Sequence, residues 1–182
     1  MITYFCSSNP DKHADAAWLF RDSMHPPRPL HQAITEVLSA DLKVLVREKA
    51  LTAYRRAPVC LFVEHGGLYI DALAGLPGTL VKVFCEQIKL AGLCALLPPL
   101  ASRRATFRHM ICYCDGKALS TFEGAIVGTI ADSPRGAGGI HWDPVFIPDG
   151  ESMTMGEMHP ERRLEFFANA GAIGDFRRKI GI

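Results

Sequence analysis

A continuous apolar run in the first half of the chain limits the possible folds more than any other feature of the sequence. Val59–Val63 follows Pro58 and consists of apolar residues only. Such runs are typical of strands that are buried on both faces, as in a parallel or mixed sheet covered by helices. The run Ile2–Cys6 is also apolar and β-prone, and it ends in the turn and helix-cap residues of Ser7–Pro10. The sequence therefore predicts a buried sheet whose strands lead into loops and helices.

Segments with helical periodicity alternate with the predicted strands. Apolar residues recur every three or four positions over Asp41–Arg56, which predicts an amphipathic helix capped by Ser39 or Asp41. Asp115-Gly116 joins two β-prone runs and predicts an antiparallel hairpin, because both turn positions tolerate a positive φ. The mixture of elements, without an internal repeat or a clear domain boundary, indicates one α/β domain over residues 1–182. The other predicted elements are helices over Pro10–Met24, Thr79–Ala91 and Glu161–Arg178, a short strand over Leu68–Ile70, and hairpin strands over Ala105–Cys114 and Leu119–Ala131.

Composition narrows the partners and the cellular location that we expect. The chain has 20 basic and 19 acidic residues, so its charge alone would not hold a nucleic acid. It contains no stretch of 18 apolar residues and no secretory signal pattern, so we expect a cytoplasmic protein without membrane association. The six cysteines form no CxxC pair and mostly lie in apolar runs, which predicts buried thiols rather than a zinc site.

Three segments carry polar residues directly after predicted strands, where open α/β sheets bind ligands. The first is Ser7–Lys12, in which Ser and Asn donors, a helix start and one lysine suit a phosphate chain. A purely structural helix cap is the more common use of these residue types.

The second segment is Glu64–Gly78, which places an acid and a histidine at the end of the buried strand, before two glycines. Burying Glu64 there costs energy unless it is paired or binds a cation. The third segment is Gly138–Pro144, where glycines allow close backbone approach and Trp142 offers a flat stacking surface beside Asp143. A single tryptophan is more often a core residue.

Together, these segments resemble the inosine triphosphatase family of non-canonical purine nucleoside triphosphate pyrophosphatases. The family opens with a Thr/Ser-x-Asn-x-x-Lys loop, which corresponds to Ser7, Asn9 and Lys12. Its Glu-Asp-(Thr/Ser)-Gly-Leu stretch, continuing through Asp-Ala-Leu-x-Gly-x-Pro-Gly, is similar to Glu64–Gly78 and is the most specific match. Gly-Phe-Gly-(Tyr/Trp)-Asp-Pro corresponds to Gly139–Pro144.

The resemblance implies a mixed central sheet with flanking helices, an antiparallel hairpin lobe and a cleft between lobes. It also implies hydrolysis of nucleoside triphosphates such as ITP, dITP and XTP to monophosphate and pyrophosphate, by a homodimer that uses Mg²⁺. His65 adds Mn²⁺ as an alternative metal, because an imidazole tolerates softer metals. A metal-linked glutamate thirteen residues before a lysine corresponds to Glu36 and Lys49. The expected metal ligands are Glu36, Glu64 and His65; the expected catalytic residues are His65, Lys49 and Glu64; the expected substrate contacts are Ser7, Ser8, Asn9, Lys12, Lys49, Lys82, His141, Trp142, Asp143, Arg162 and Arg163.

Two departures from the family pattern leave alternatives open. His65 stands where the family has an aspartate; a neutral imidazole is a poor Mg²⁺ ligand but a plausible general base. The family's terminal Lys-Asn and Ser-His-Arg, which contact the nucleotide, are replaced by a stretch that begins with Arg162 and Arg163. The alternatives are therefore a relative that binds nucleotide without turnover, and a pyrophosphatase with a different base preference.

Overall fold

The computed structural model describes residues 2–98 and 100–181, in which one mixed sheet of seven strands is flanked by helices. The sheet order is β2-β1-β3-β5-β6-β7, and β4 pairs with β3. β1 is parallel to β2 and to β3, while β4 and β7 are antiparallel to β3 and β6. The predicted mixed α/β class is confirmed. The strands are β1 (Tyr4–Ser7), β2 (Arg28–His31), β3 (Leu61–Ile70), β4 (Pro77–Gly78), β5 (Arg104–Cys114), β6 (Leu119–Ile130) and β7 (Phe146–Pro148).

The helices follow the predicted order, although their ends differ from the predicted ones. They are α1 (Pro10–Leu19), α2 (Leu42–Arg56), α3 (Val81–Ala95), α4 (Pro160–Asn169) and α5 (Ala172–Ile180). Asp41 caps α2 through hydrogen bonds from Lys43 N and Val44 N, so of the two predicted caps it is Asp41 that acts. In the part of the chain that the structure describes, no helix is long and apolar enough to span a membrane.

The chain divides into two compact units. The first unit comprises Met1–His65, His109–Gly124 and Phe167–Ile182, and the second comprises Gly66–Arg108 and Ala125–Phe166. In the first unit, alternate residues of the strands point to opposite faces of the sheet. Cys6, Leu61, Val63 and Cys112 pack against α2, whereas Phe5, Phe62, Ile111 and Tyr113 pack against Phe20 and α5. The central strands are therefore covered on both faces, as their continuous apolar runs predict.

The prediction of two strands around Glu64 and His65 was wrong, because β3 continues from Leu61 to Ile70 without a break. Gly66 and Gly67 are strand residues, and steric contact explains why they are glycines. A Cβ on Gly66 would lie 2.7 Å from the Phe107 ring, and one on Gly67 would lie 2.9 Å from the backbone of Gly78. Glu64 and His65 therefore lie inside a strand, whose hydrogen-bonded backbone fixes the direction of their side chains.

The closing helix predicted over Glu161–Arg178 is two helices, because the chain changes direction between α4 and α5. Gly171 has φ +104°, which lies in the region that favours glycine, and it precedes the first residue of α5. Helix α1 is also shorter than predicted, since it ends at Leu19 and the following Phe20 is buried in the core. After α1 the chain forms the edge strand β2, which pairs with β1 in parallel.

Candidate functional site

The loop between β1 and α1 is built around the Asn9 side chain. Asn9 Oδ1 accepts hydrogen bonds from Asp11 N at 2.8 Å and Lys12 N at 3.4 Å, and thereby caps α1. Ser7 Oγ accepts a hydrogen bond from Asn9 N at 3.1 Å, while Ser8 is exposed. The cap fixes the first turn of α1, and with it the direction in which Lys12 leaves the helix.

Lys12 and Glu64 meet although 52 residues separate them in the sequence. Lys12 Nζ donates a hydrogen bond of 2.7 Å to Glu64 Oε2. Both side chains are largely buried, with exposed fractions of 23% and 20%. An ion pair with so little solvent around it is screened weakly by salt. Helix α1 and strand β3 thus bring one positive and one negative group to the same place in the first unit.

A second ion pair lies beside the first, because Lys49 contacts both glutamates of the site. Lys49 Nζ is 2.6 Å from Glu36 Oε1 and donates a hydrogen bond of 3.1 Å to the Glu64 backbone carbonyl. Glu36 Oε2 lies 3.5 Å from His65 Nδ1. The structure therefore brings Lys12, Glu36, Lys49, Glu64 and His65 together within the first unit.

Burial and the neighbouring charges together lower the pKa values of Glu64, Glu36 and Lys49. Burial alone would raise the pKa of Glu64, but the Lys12 ammonium outweighs it and lowers that pKa to about 2. Burial opposes the charged form of Glu36 as well, and contacts with His65 and Lys49 nevertheless hold its pKa well below the usual range. Burial and the nearby Lys12 lower the pKa of Lys49. Both carboxylates are therefore ionised at neutral pH.

His109 is a member of this neighbourhood that the sequence motifs did not indicate. It lies on β5 with an exposed fraction of 1%, and its ring meets Phe167 edge to face at 5.6 Å between centroids. Burial lowers its pKa although the Glu64 carboxylate opposes that shift. In the sequence, the position of this histidine inside the predicted strand Ala105–Cys114 was the feature that could have indicated a buried polar side chain.

The predicted substrate contacts of the glycine-rich segment belong to the second unit, where they contact one another. Trp142 has an exposed fraction of 9%; its ring stacks on His141 at 5.6 Å and lies 5.3 Å from the Phe107 ring. Asp143 is buried, accepts a hydrogen bond of 2.7 Å from Ile140 N, and pairs with Arg163 at 3.4 Å. These side chains stabilise the segment, so that a nucleotide-binding role for them would come in addition to a structural one.

Lys82, Arg162 and Arg163 are also in the second unit, and each has acidic neighbours there. Lys82 is exposed and lies 3.9 Å from Glu86, one turn further along α3. Arg162 is exposed and contacts Glu151 at 2.5 Å and Glu165 at 2.7 Å. Arg163 is buried in its pair with Asp143. The two arginines that could replace the family's terminal basic residues are therefore already engaged.

The donor set of the first unit suits a hard divalent cation. Glu36 and Glu64 offer ionised carboxylate oxygens, and Mg²⁺ is commonly held by one or two carboxylates together with water and substrate phosphates. Among residues 2–98 and 100–181, no three His, Cys, Asp or Glu side chains stand in an arrangement that would hold a metal ion by themselves. A cation with only two protein carboxylates fits this site, and His65 is the least suitable of the predicted ligands.

Comparison with known proteins gives a family match over almost the whole chain. The Ham1 family model matches residues 3–179. The dITP/XTP pyrophosphatase of Pyrobaculum aerophilum is 33% identical over 172 residues, covering 91% of this chain and 92% of that protein. The inosine triphosphate pyrophosphatase 2 of Trypanosoma cruzi is 39% identical over 142 residues, covering 77% of this chain and 72% of that protein.

The fold is also similar to that of a solved structure. A HAM1 protein from Coxiella burnetii matches with a TM-score of 0.84 and 22% identity, covering 100% of this chain and 99% of that chain. The fold and the sequence matches define a class of nucleoside triphosphate pyrophosphatases. The chain belongs to the Ham1 family, and the resemblance predicted from its motifs is confirmed.

Proposed function

We propose that this chain hydrolyses non-canonical purine nucleoside triphosphates, of the ITP, dITP and XTP type, to the monophosphate and pyrophosphate. The observation that carries the proposal is the cluster of two lysines and two glutamates drawn from α1, α2, β3 and the segment before α2. Its curated relatives are named dITP/XTP pyrophosphatase and inosine triphosphate pyrophosphatase. A homodimer in the cytoplasm, without a nucleic-acid partner, is part of the same proposal.

The reaction is attack of water on a phosphorus of the bound triphosphate, with pyrophosphate as the leaving group. The substrate carries a charge of about −4, so positive groups must be placed around the phosphate chain before reaction. Lys12 and Lys49 would supply two ammonium groups with little solvent around them, and an ammonium group released from its glutamate there would attract phosphate oxygens strongly. Ser7, Ser8 and Asn9 would provide neutral donors beside Lys12.

Glu36 and Glu64 would hold the divalent cation, which we propose to be Mg²⁺ with Mn²⁺ as a substitute. When bound, the cation neutralises phosphate charge and polarises the phosphorus–oxygen bonds. Each of these two glutamates lies next to one lysine of the cluster, Glu64 beside Lys12 and Glu36 beside Lys49.

His65 is our candidate for the general base that orients and deprotonates the attacking water. The neutral imidazole of a histidine can accept a proton and is the most common general base in enzymes. Glu36 lies 3.5 Å from His65 Nδ1, and a proton held between them would leave Nε2 as the basic nitrogen. In this arrangement, one carboxylate positions the histidine in addition to its role toward the cation.

A second candidate function, binding without turnover, is favoured by one observation in the second unit. Arg162 and Arg163, the only basic residues in place of the family's terminal nucleotide contacts, are paired with Glu151, Glu165 and Asp143. Selectivity that depends on hydrogen bonds collapses when its donors are missing. The same observation would allow a pyrophosphatase with a relaxed or different base preference.

Pyrophosphate release across a panel of nucleotides tests the proposal and separates the alternatives. We expect turnover of ITP, dITP and XTP with Mg²⁺ or Mn²⁺, and much slower turnover of ATP and GTP. Equal or faster release from pyrimidine or standard purine nucleotides would indicate a different base preference. Stabilisation against heat by ITP without release of pyrophosphate would overturn the enzymatic proposal in favour of binding alone.

A further inference from the structure

Both lysines of the first-unit cluster are already paired with carboxylates of the chain itself. Lys12 Nζ is 2.7 Å from Glu64 Oε2, and Lys49 Nζ is 2.6 Å from Glu36 Oε1. Carboxyl groups are ionised at neutral pH, and each of these two lies in direct contact with a lysine ammonium group. With both lysines charged, these four side chains carry no net charge. The cluster therefore lacks the positive potential that a phosphate chain requires.

A phosphate chain that approaches this cluster meets repulsion as well as attraction. Each glutamate occupies a hydrogen-bond donor of a lysine, and its negative charge lies beside the position that a phosphate oxygen would take. Lys49 has an exposed side-chain fraction of only 11%, so that solvent screens these charges weakly. The attraction of the two lysines is thus largely cancelled before any phosphate arrives.

We propose that Glu36 and Glu64 act as internal substitutes for phosphate, which occupy Lys49 and Lys12 until the carboxylates turn to a divalent cation. This inference rests on the proposed function and concerns how the same site is controlled. Nucleotide and cation then bind with strong positive coupling, because cation binding by the carboxylates releases the ammonium groups for phosphate oxygens. By linkage, nucleotide raises the affinity for the cation by the same factor. Without a cation, the glutamates prevent unproductive binding of phosphate chains.

The inference predicts that removing one carboxylate charge strengthens metal-free binding. The probe is inorganic tripolyphosphate, titrated in EDTA by isothermal calorimetry against the wild type, Glu64→Gln and Glu36→Gln. We expect each variant to bind it about tenfold more tightly than the wild type, equivalent to about 1.4 kcal/mol. Glu48→Gln removes the same charge from an exposed position of α2 next to Lys49, and it should leave the affinity unchanged.

Repeating the titrations with Mg²⁺ completes the test. The wild type should gain at least about tenfold in affinity for tripolyphosphate when Mg²⁺ is present, and Glu64→Gln should gain much less. Thermal unfolding of each variant checks that it folds. Because Glu36 lies on an exposed segment, we expect Glu36→Gln to fold even if Glu64→Gln does not, and the comparison with the wild type can then be made with Glu36→Gln alone. Equal wild-type affinities with and without Mg²⁺, or no tightening in either variant, would overturn the inference alone. Absence of tripolyphosphate and ITP binding in every protein and condition would overturn the proposed function as well.

Discussion

Lys12 and Glu64 form a hydrogen-bonded ion pair of 2.7 Å that joins α1 to the middle of β3. The pair lowers the pKa of Glu64 from its usual 4.5 to about 2, although burial alone would raise it. A carboxyl group whose pKa is lowered in the folded state adds stability above its unfolded pKa and loses it as the pH falls through the folded pKa. For Glu64 this window lies between 4.5 and about 2.

We therefore predict that the stability difference between the wild type and Glu64→Gln depends on pH. The pKa shift is equivalent to at most about 3 kcal/mol in favour of the wild type at neutral pH, and this advantage should shrink steadily below about pH 4.5. Urea unfolding at several pH values from about 7 to about 3 measures it. The free energy of unfolding of Glu48→Gln should change with pH in nearly the same way as that of the wild type. A wild-type advantage that stays constant down to the lowest pH would contradict the assignment.

Removing the Lys49 ammonium should impair catalysis far more than stability. Lys49→Met keeps much of the side-chain volume but leaves Glu36 without its 2.6 Å partner and the Glu64 carbonyl without a donor. Loss of one such electrostatic contact typically lowers kcat by about a hundredfold or more. Steady-state pyrophosphate release from ITP gives the effect on kcat and KM. Lys43→Met, an exposed lysine of the same helix, should retain the wild-type rate.

The fold could be predicted from the sequence wherever one local signal decided the structure. Asp41 at the start of a periodic apolar segment predicted the correct helix start. Asp115-Gly116 predicted the place of the connection between β5 and β6, but this connection spans residues 115–118, and of the two residues only Gly116 has a positive φ. Gly66-Gly67 gave a wrong strand end, because glycine there avoids contact with the Phe107 ring and the Gly78 backbone, which lie elsewhere in the sequence. Local patterns contain no information on such contacts.

For the candidate site, too, the sequence predicts individual residues but not the contacts between residues that are far apart in the chain. Family motifs identified Lys12, Glu36, Lys49 and Glu64, but nothing in the sequence shows that each lysine is paired with one glutamate. The sequence does not predict the burial of Arg163 either, since arginine is almost never fully buried unless it is paired. Its partner Asp143 lies 20 residues away and comes near only through the packing of the second unit.

Replacing His65 by aspartate tests the most consequential departure from the family pattern. Aspartate would add a hard oxygen ligand beside Glu36, which suits Mg²⁺ better than an imidazole does. We expect His65→Asp to raise Mg²⁺-dependent turnover of ITP and to lower the ratio of the rate with Mn²⁺ to the rate with Mg²⁺. His65→Asn, of similar size but uncharged, serves as the control. If His65→Asp turns over no faster than the wild type with Mg²⁺, the hypothesis that His65 weakens the Mg²⁺ site fails.

Lys89 has a backbone conformation that residues other than glycine rarely adopt. Its φ of +61° and ψ of 170° interrupt α3 between two helical stretches. Such conformations cost non-glycine residues about 1–3 kcal/mol. We predict that Lys89→Gly is more stable than Lys89→Ala by about 1 kcal/mol, since both remove the same side chain and only glycine relieves the strain. Thermal or urea unfolding of the two variants measures the difference, and equal stability would argue against strain at this position.

The buried ion pair of Arg163 and Asp143 in the second unit allows an experiment to decide whether Arg163 has a structural role or binds the nucleotide. Their side chains are buried, with exposed fractions of 6% and 3%, so Arg163→Met would leave the Asp143 charge without its guanidinium partner. Breaking a buried ion pair in this way typically costs about 3–5 kcal/mol. Arg162→Met removes an exposed guanidinium one residue earlier and should cost less than about 1 kcal/mol. Urea unfolding gives both values, and KM for ITP should change little for Arg163→Met if the pair is structural. A large rise in KM with unchanged stability would instead assign Arg163 to the nucleotide.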